Sequence, residues 1–170
     1  STLSEVDEFT LPFVVDDTVL NYQVEVKHPE KPAVTIPVPV SIAANWSRLK
    51  NGRDWCTEID GTEIGTSTAC NENFIYNPVT KQVISETLIA GKYGCFEVVN
   101  GADQDVLFKT CSSSTWQQVS FTGGTQNMRA SNDNHVVDTL TWFTERGLKS
   151  LSGGNAGGQG GNRRNWFWEN

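Results

Sequence analysis

A cysteine-bounded segment that occurs twice at matched spacing constrains this chain more than any other feature. The first copy runs CTEIDGTEIGTSTAC from Cys56 to Cys70, and the second runs CFEVVNGADQDVLFKTC from Cys95 to Cys111. Each opens on a cysteine, places a glutamate two residues on (Glu58, Glu97) and then a β-branched residue (Ile59, Val98). A turn carrying glycine follows (Asp60-Gly61, Asn100-Gly101), and a second cysteine closes the segment. The opening cysteines lie 39 residues apart and the closing ones 41. A period of that size points to a repeat architecture, in which each unit buries its apolar face only against its neighbours. Pairing within each copy closes two loops of about fifteen residues, each disulfide stabilising by roughly 2–4 kcal/mol. Reduced, merely buried thiols are the competing reading. Zinc fits poorly, because 13 and 15 residues separate the cysteines of a pair and the only histidines are His28 and His135.

Disulfides imply an oxidising compartment, so the expected location is secreted or lumenal. Asn45-Trp46-Ser47 is an N-glycosylation sequon, which agrees. No apolar run approaches the eighteen or so residues of a membrane span, and residue 1 begins without a charged and hydrophobic leader, as at a mature or trimmed end. The net charge is −7 and basic residues cluster no further than Arg163-Arg164. Such a field repels phosphate backbones, so nucleic acid is not an expected partner. With 37% hydrophobic and 19% charged residues, 8 Phe and 6 Trp, the 170-residue chain is too apolar to be disordered. It suits one ordinary domain with an appended arm.

The arm is residues 1–41. Val19 to Val26 alternates apolar and polar, the pattern of a half-buried strand, and His28-Pro29-Glu30-Lys31-Pro32 interrupts it. Val34 to Ile42 alternates again, but Pro37 and Pro39 cannot donate ladder hydrogen bonds and confine it to an edge or an extended segment. The domain is residues 42–170, with repeats at about 56–94, 95–135 and 136–170. Turn signals at Asn51-Gly52, Asn77-Pro78 and Gly123-Gly124 separate short apolar runs, among them Phe74 to Tyr76, Gln82 to Ile89 and Trp116 to Phe121. Val136 to Leu148 has β-branched residues through its first half and reads as strand rather than helix. Short strands at this spacing indicate an all-β sandwich or barrel. The Gly-rich run 152–161 lacks the lysine of a phosphate cradle and reads as a loop.

The second copy resembles the subdomain of ricin B-type lectins. The resemblance is carried by Cys95-Phe96-Glu97-Val98, Asn100-Gly101, Val106-Leu107-Phe108, Cys111, Gln117-Gln118-Val119 and Phe121, with Phe74 to Ile84 similar to the passage between subdomains. It covers roughly residues 45–135, and the third copy is placed by length. The resemblance implies a β-trefoil of three repeats of about forty residues, preceded here by the β-rich arm, in which Phe96, Val98, Leu107 and Phe121 are core. It also implies one shallow sugar pocket per repeat, where a carboxylate takes hydrogen bonds from sugar hydroxyls and an aromatic face stacks on the ring. Glu58 and Glu97 hold the family's Asp position. Gln117 matches the Gln of its Gln-x-Trp motif, with Val119 at the Trp position and Trp116 where Asn is common. The stacking position before the closing cysteine holds Thr68 and Lys109. Asp138 supplies the third carboxylate and Trp142 a stacking face, which makes that pocket the first expectation.

The function this implies is a secreted, lectin-like carbohydrate-binding module with glycans or glycoproteins as partners and no cofactor or metal. One alternative is a protein-interaction domain presenting Trp46, Trp55, Trp116 and the Trp166-Phe167-Trp168 cluster, which core packing explains equally. Another is a glycan hydrolase with a carboxylate pair among Asp54, Glu58, Asp60 and Glu63, residues that turns and solvation also explain. No Ser/His/Asp arrangement is evident. A calcium loop at Asn100 to Asp105 lacks the distal acidic ligand, and a tight turn accounts for it as well.

Overall fold

The computed structural model describes residues 10–98, 104–122, 127–130, 136–140, 147–151 and 165–169, and the chain divides into two units after Asn45. That is four residues beyond the boundary expected from composition. Every regular element among the described residues is a β-strand except a single 3-10 turn, so the expected all-β class holds.

The first unit is one antiparallel hairpin, β1 (Thr18–His28) with β2 (Lys31–Ile42), turned at Pro29-Glu30. Its register sets Leu20 against Val40, Val24 against Ile36 and Val26 against Val34. Alternation of side chains puts all of these on one face, together with Val38 and Ile42. The other face carries Asn21, Gln23 and Glu25 on β1, the last ion-paired with Lys27 at 3.2 Å.

Among its described residues the second unit contains twelve strands: β3 (Arg48–Asn51), β4 (Cys56–Asp60), β5 (Glu63–Ser67), β6 (Phe74–Asn77), β7 (Gln82–Ile89), β8 (Lys92–Val98), β9 (Gln104–Thr110), β10 (Val119–Thr122), β11 (Asn127–Ala130), β12 (Val136–Leu140), β13 (Gly147–Leu151) and β14 (Trp166–Glu169). They fall into three sets of four with the same pairing. Cys56 pairs with Lys50 before it and Ser67 after it; Cys95 pairs with Ile84 and Lys109; Val136 pairs with Arg129 and Leu151. The cysteine-free third segment therefore takes the register of the two cysteine-bearing ones. Each set begins one strand earlier than the sequence repeat, which starts at the cysteine. The signal for these opening strands is small, since β3 and β11 are four residues long and bury one large apolar side chain apiece.

Joins between sets recur as well. Tyr76 pairs with Val83, Phe121 with Met128, and Trp168 with Leu49, so the last strand closes back on the first strand of the unit. Within a set, the Phe74 N–H donates to the Ser47 carbonyl at 2.8 Å, and the Val119 N–H donates to the Lys81 carbonyl at 2.8 Å. The equivalent side chains Leu49, Val83 and Met128, and again Phe74, Val119 and Trp166, are all fully buried. Tyr76, Phe121 and Trp168 stack edge-on across one end of this core, with centroids 5.1 and 5.7 Å apart. The Tyr76 hydroxyl donates to the Val119 carbonyl at 3.1 Å, and burial raises the pKa of the phenol. Hairpins β4–β5, β8–β9 and β12–β13 meet through β5–β9 and β9–β13 pairing.

Of the expected core residues, Phe96 and Val98 are fully buried and Phe121 packs against the core. Leu107 departs from expectation and is half-buried. It stands opposite Glu97, so strand alternation turns Val106 and Phe108 inward instead. Phe108 lies on Gly94, where a Cβ would overlap its ring. In the first set the sizes are exchanged, with Trp55 in the place of Gly94 and Thr66 in the place of Phe108. The Thr66 hydroxyl is buried with no hydrogen-bond partner among the described residues. Thr66→Val keeps the shape and removes that group, so urea unfolding should show a gain of about 1 kcal/mol.

Candidate functional site

The disulfides are Cys56–Cys70 and Cys95–Cys111, as the repeat pairing predicts, with Cα–Cα distances of 5.0 and 4.9 Å. Each ties the start of its hairpin to the stretch after it. Beyond Cys111 the chain makes a 3-10 turn at Thr115–Gln117, whose N-cap Ser114 accepts the Trp116 N–H at 3.2 Å. Hydroxyl caps of this kind satisfy donors that a short turn cannot pair internally.

The turn drives the Gln117 side chain inward, where its amide uses all its bonding capacity. Its Oε1 accepts from the Ser112 N–H at 2.8 Å and from Gln82 Nε2 at 3.1 Å; its Nε2 donates to the Thr110 carbonyl at 3.0 Å and to Glu97 Oε2 at 3.3 Å. Gln82, itself buried, also donates to the Ser112 carbonyl at 2.8 Å. Gln117 thus joins β7, β8 and the end of β9, and it aims one oxygen of the half-buried Glu97 carboxylate. The other Glu97 oxygen has no bonded partner among the described residues. Trp116, half-buried, precedes Gln117 on the same turn, and the exposed Lys109 stands opposite Cys95. A braced carboxylate can accept hydrogen bonds from a polyol, and an aromatic ring is the kind of surface that covers a sugar's apolar side.

Glu58 occupies the same register position as Glu97, facing Gly65. It lacks the brace. The residue two before the buried strand residue is Gln117 ahead of Val119 but Glu72 ahead of Phe74, and Glu72 accepts from the Thr87 hydroxyl at 2.8 Å. A carboxylate cannot donate to another carboxylate. Asp138 lies in β12 at the third equivalent position, paired with Lys149. The surroundings of its side chain and Trp142 itself fall outside the described residues.

Other sequence candidates are dispersed. Asp54 is ion-paired with Lys50 at 3.7 Å in the turn held by Asn51, whose Oδ1 accepts from the Arg53 and Trp55 N–H groups. Asp60 and Glu63 face each other across the Gly61-Thr62 turn, where Gly61 has φ +63°. His28 ends β1 next to the hairpin turn, and its Nδ1 accepts from the Glu30 N–H. His135 and the proposed calcium ligands Asn100 and Asp103 lie outside the described residues. No group of three or more metal-ligating side chains occurs among the described ones. Asn45 of the sequon is exposed. Trp166 is fully buried and Trp168 packs against the core, so within that cluster only Phe167, 45% exposed, faces outward.

Sequence reasoning missed Gln82 and the pair Trp46–Tyr93, two half-buried rings 6.0 Å apart. Gln82 offered one signal, a lone amide opening the apolar run of β7; the aromatic pair offered none, being 47 residues apart in sequence. No helix among the described residues is long and apolar enough to cross a membrane. No family model matches the chain, and no curated protein matches its sequence.

Proposed function

We propose that residues 46–170 form a β-trefoil that binds glycans, and that the protein acts in an extracellular or lumenal compartment. The trefoil reading draws support from the thrice-repeated four-strand pairing and from closure of β14 on β3. Two disulfides favour an oxidising compartment, and the exposed Asn45 is then a glycosylation site.

The observation that carries the binding reading is the brace from buried Gln117 to the Glu97 carboxylate, on the turn that also carries Trp116. Aiming a carboxylate in advance lowers the ordering cost that weak sugar ligands otherwise meet on binding. Glu97, Trp116 and Gln117 form the pocket of the second repeat, with Gln117 positioning Glu97. Asp138 and Trp142 form that of the third, and Glu58 marks an unbraced first.

Titration of the ¹⁵N-labelled chain with free hexoses and N-acetylhexosamines tests this. The Trp116 indole resonance should shift for at least one sugar, and Glu97→Ala should weaken that binding by about 10–100-fold through loss of a charged hydrogen bond. Shifts confined to other indoles, or insensitive to Glu97→Ala in a folded variant, would count against the second-repeat pocket.

A further inference from the structure

The hairpin of the first unit has two edges of different character. Pro37 stands opposite Gln23 and Pro39 opposite Asn21. A proline has no N–H to donate, so these are the non-hydrogen-bonded pairs of the ladder, whose backbone groups point away from the partner strand. The outer edge of β2 therefore lacks donors at two consecutive outward positions. Prolines placed in this way block the addition of a further strand. On β1 the matching positions Val19, Asn21, Gln23 and Glu25 keep their N–H and C=O groups, and no strand among the described residues pairs with that edge. One edge is closed to pairing and the other is open.

The hairpin also needs more sheet. Two strands alone are marginal in water, and stability comes with three or more strands carrying an apolar face. Here Val24, Val34, Ile36 and Val38 are 48, 57, 47 and 37% exposed.

We propose that β1 pairs antiparallel with β1 of a second copy of this chain, giving a four-stranded sheet about a twofold axis. The match is self-complementary. In the register centred on Gln23, that residue faces its own copy, Asn21 faces Glu25 of the partner subunit, and Leu20 faces Val26 of the partner subunit. On one face glutamine meets glutamine, asparagine meets glutamate and Val19 meets the aliphatic stem of Lys27 of the partner subunit; on the other only apolar side chains meet, Tyr22 facing Val24 of the partner subunit, and no like charges oppose one another. The assembly also stops at two, because both outer edges of the joined sheet are the β2 edges with Pro37 and Pro39. A twofold contact that leaves no further open edge yields a dimer rather than a fibre. This inference is independent of sugar binding.

Sedimentation velocity on the full chain, up to about 100 µM, tests it. The expected species has twice the 18.8 kDa mass of the chain. Gln23→Pro removes an outward donor at a pair that makes no bond inside the hairpin, and should weaken the dimer at least about tenfold. Ser41→Pro, the same change on the outer edge of β2, should leave it intact. Gln23→Cys should form an interchain disulfide on mild oxidation, since residues at the axis of such a pair lie within disulfide reach and no other cysteine among those described is free. A monomer at the highest concentration would overturn the proposal. So would a dimer of unchanged affinity in folded Gln23→Pro, or a dimer that Gln23→Cys fails to cross-link, the last guarding against misfolding of the proline variant.

Discussion

Gln117→Leu should cost about 3 kcal/mol of stability, read as a lower urea midpoint at unchanged slope. Leucine is close to glutamine in size, so the loss comes from polar groups rather than from volume. Four hydrogen bonds end on this amide, and without it the Ser112 N–H and the Thr110 carbonyl lose a buried partner. A fully buried group left unsatisfied costs about 1–3 kcal/mol; these two are partly buried, and Gln82 keeps its second bond to the Ser112 carbonyl, both of which limit the total. Gln117→Glu should be worse near neutral pH, because it removes both donors and sets a second carboxylate against Glu97. A cost below about 1 kcal/mol for both variants would mean that the loop after Cys111 is held by its disulfide alone.

Trp166→Ala should cost about 4 kcal/mol, the range for truncating a fully buried large aromatic side chain. The effect is a test of topology as much as of packing. Trp166 lies in the final strand, opposite Asn51 near the start of the unit, and occupies the place that Phe74 and Val119 hold in the other sets. If β14 closes the ring of strands, removing this side chain opens a cavity in the shared core and destabilises all three sets together. The neighbouring Phe167→Ala should cost under about 1 kcal/mol, because strand alternation turns Phe167 outward. Comparable losses at both positions would contradict the pairing of β14 with β3.

How much of the fold is legible in the sequence follows from which physical signals are local. Cys56, Cys70, Cys95 and Cys111 announce their pairing because each pair brackets one hairpin with its own glycine turn. Val136 aligns by length with the two opening cysteines, and it makes the same two strand pairings as they do. Pro37 and Pro39 mark β2 as an edge strand by residue type alone, since neither has an N–H for a second neighbour. The opening strands β3 and β11 are not legible, since four residues with a single buried side chain carry almost no period. Leu107 reads as core because its run, Val106-Leu107-Phe108, is continuously apolar; only its pairing with Glu97 shows which residues turn inward. At the candidate site, Gln117 stands out by motif, but its role as a brace depends on Gln82, Glu97 and Thr110, which converge only once the β7–β8–β9 ladder forms. Trp168 looks available for contact in the sequence and instead packs against Phe121.

Whether this protein binds glycans is decided by a glycan array probed with the intact chain beside Glu97→Ala and Asp138→Ala. The prediction is a defined set of bound glycans whose signal falls at least about tenfold in one of the two folded variants, identifying the working repeat. Silence across the array from folded protein, or binding that neither substitution changes, would contradict it.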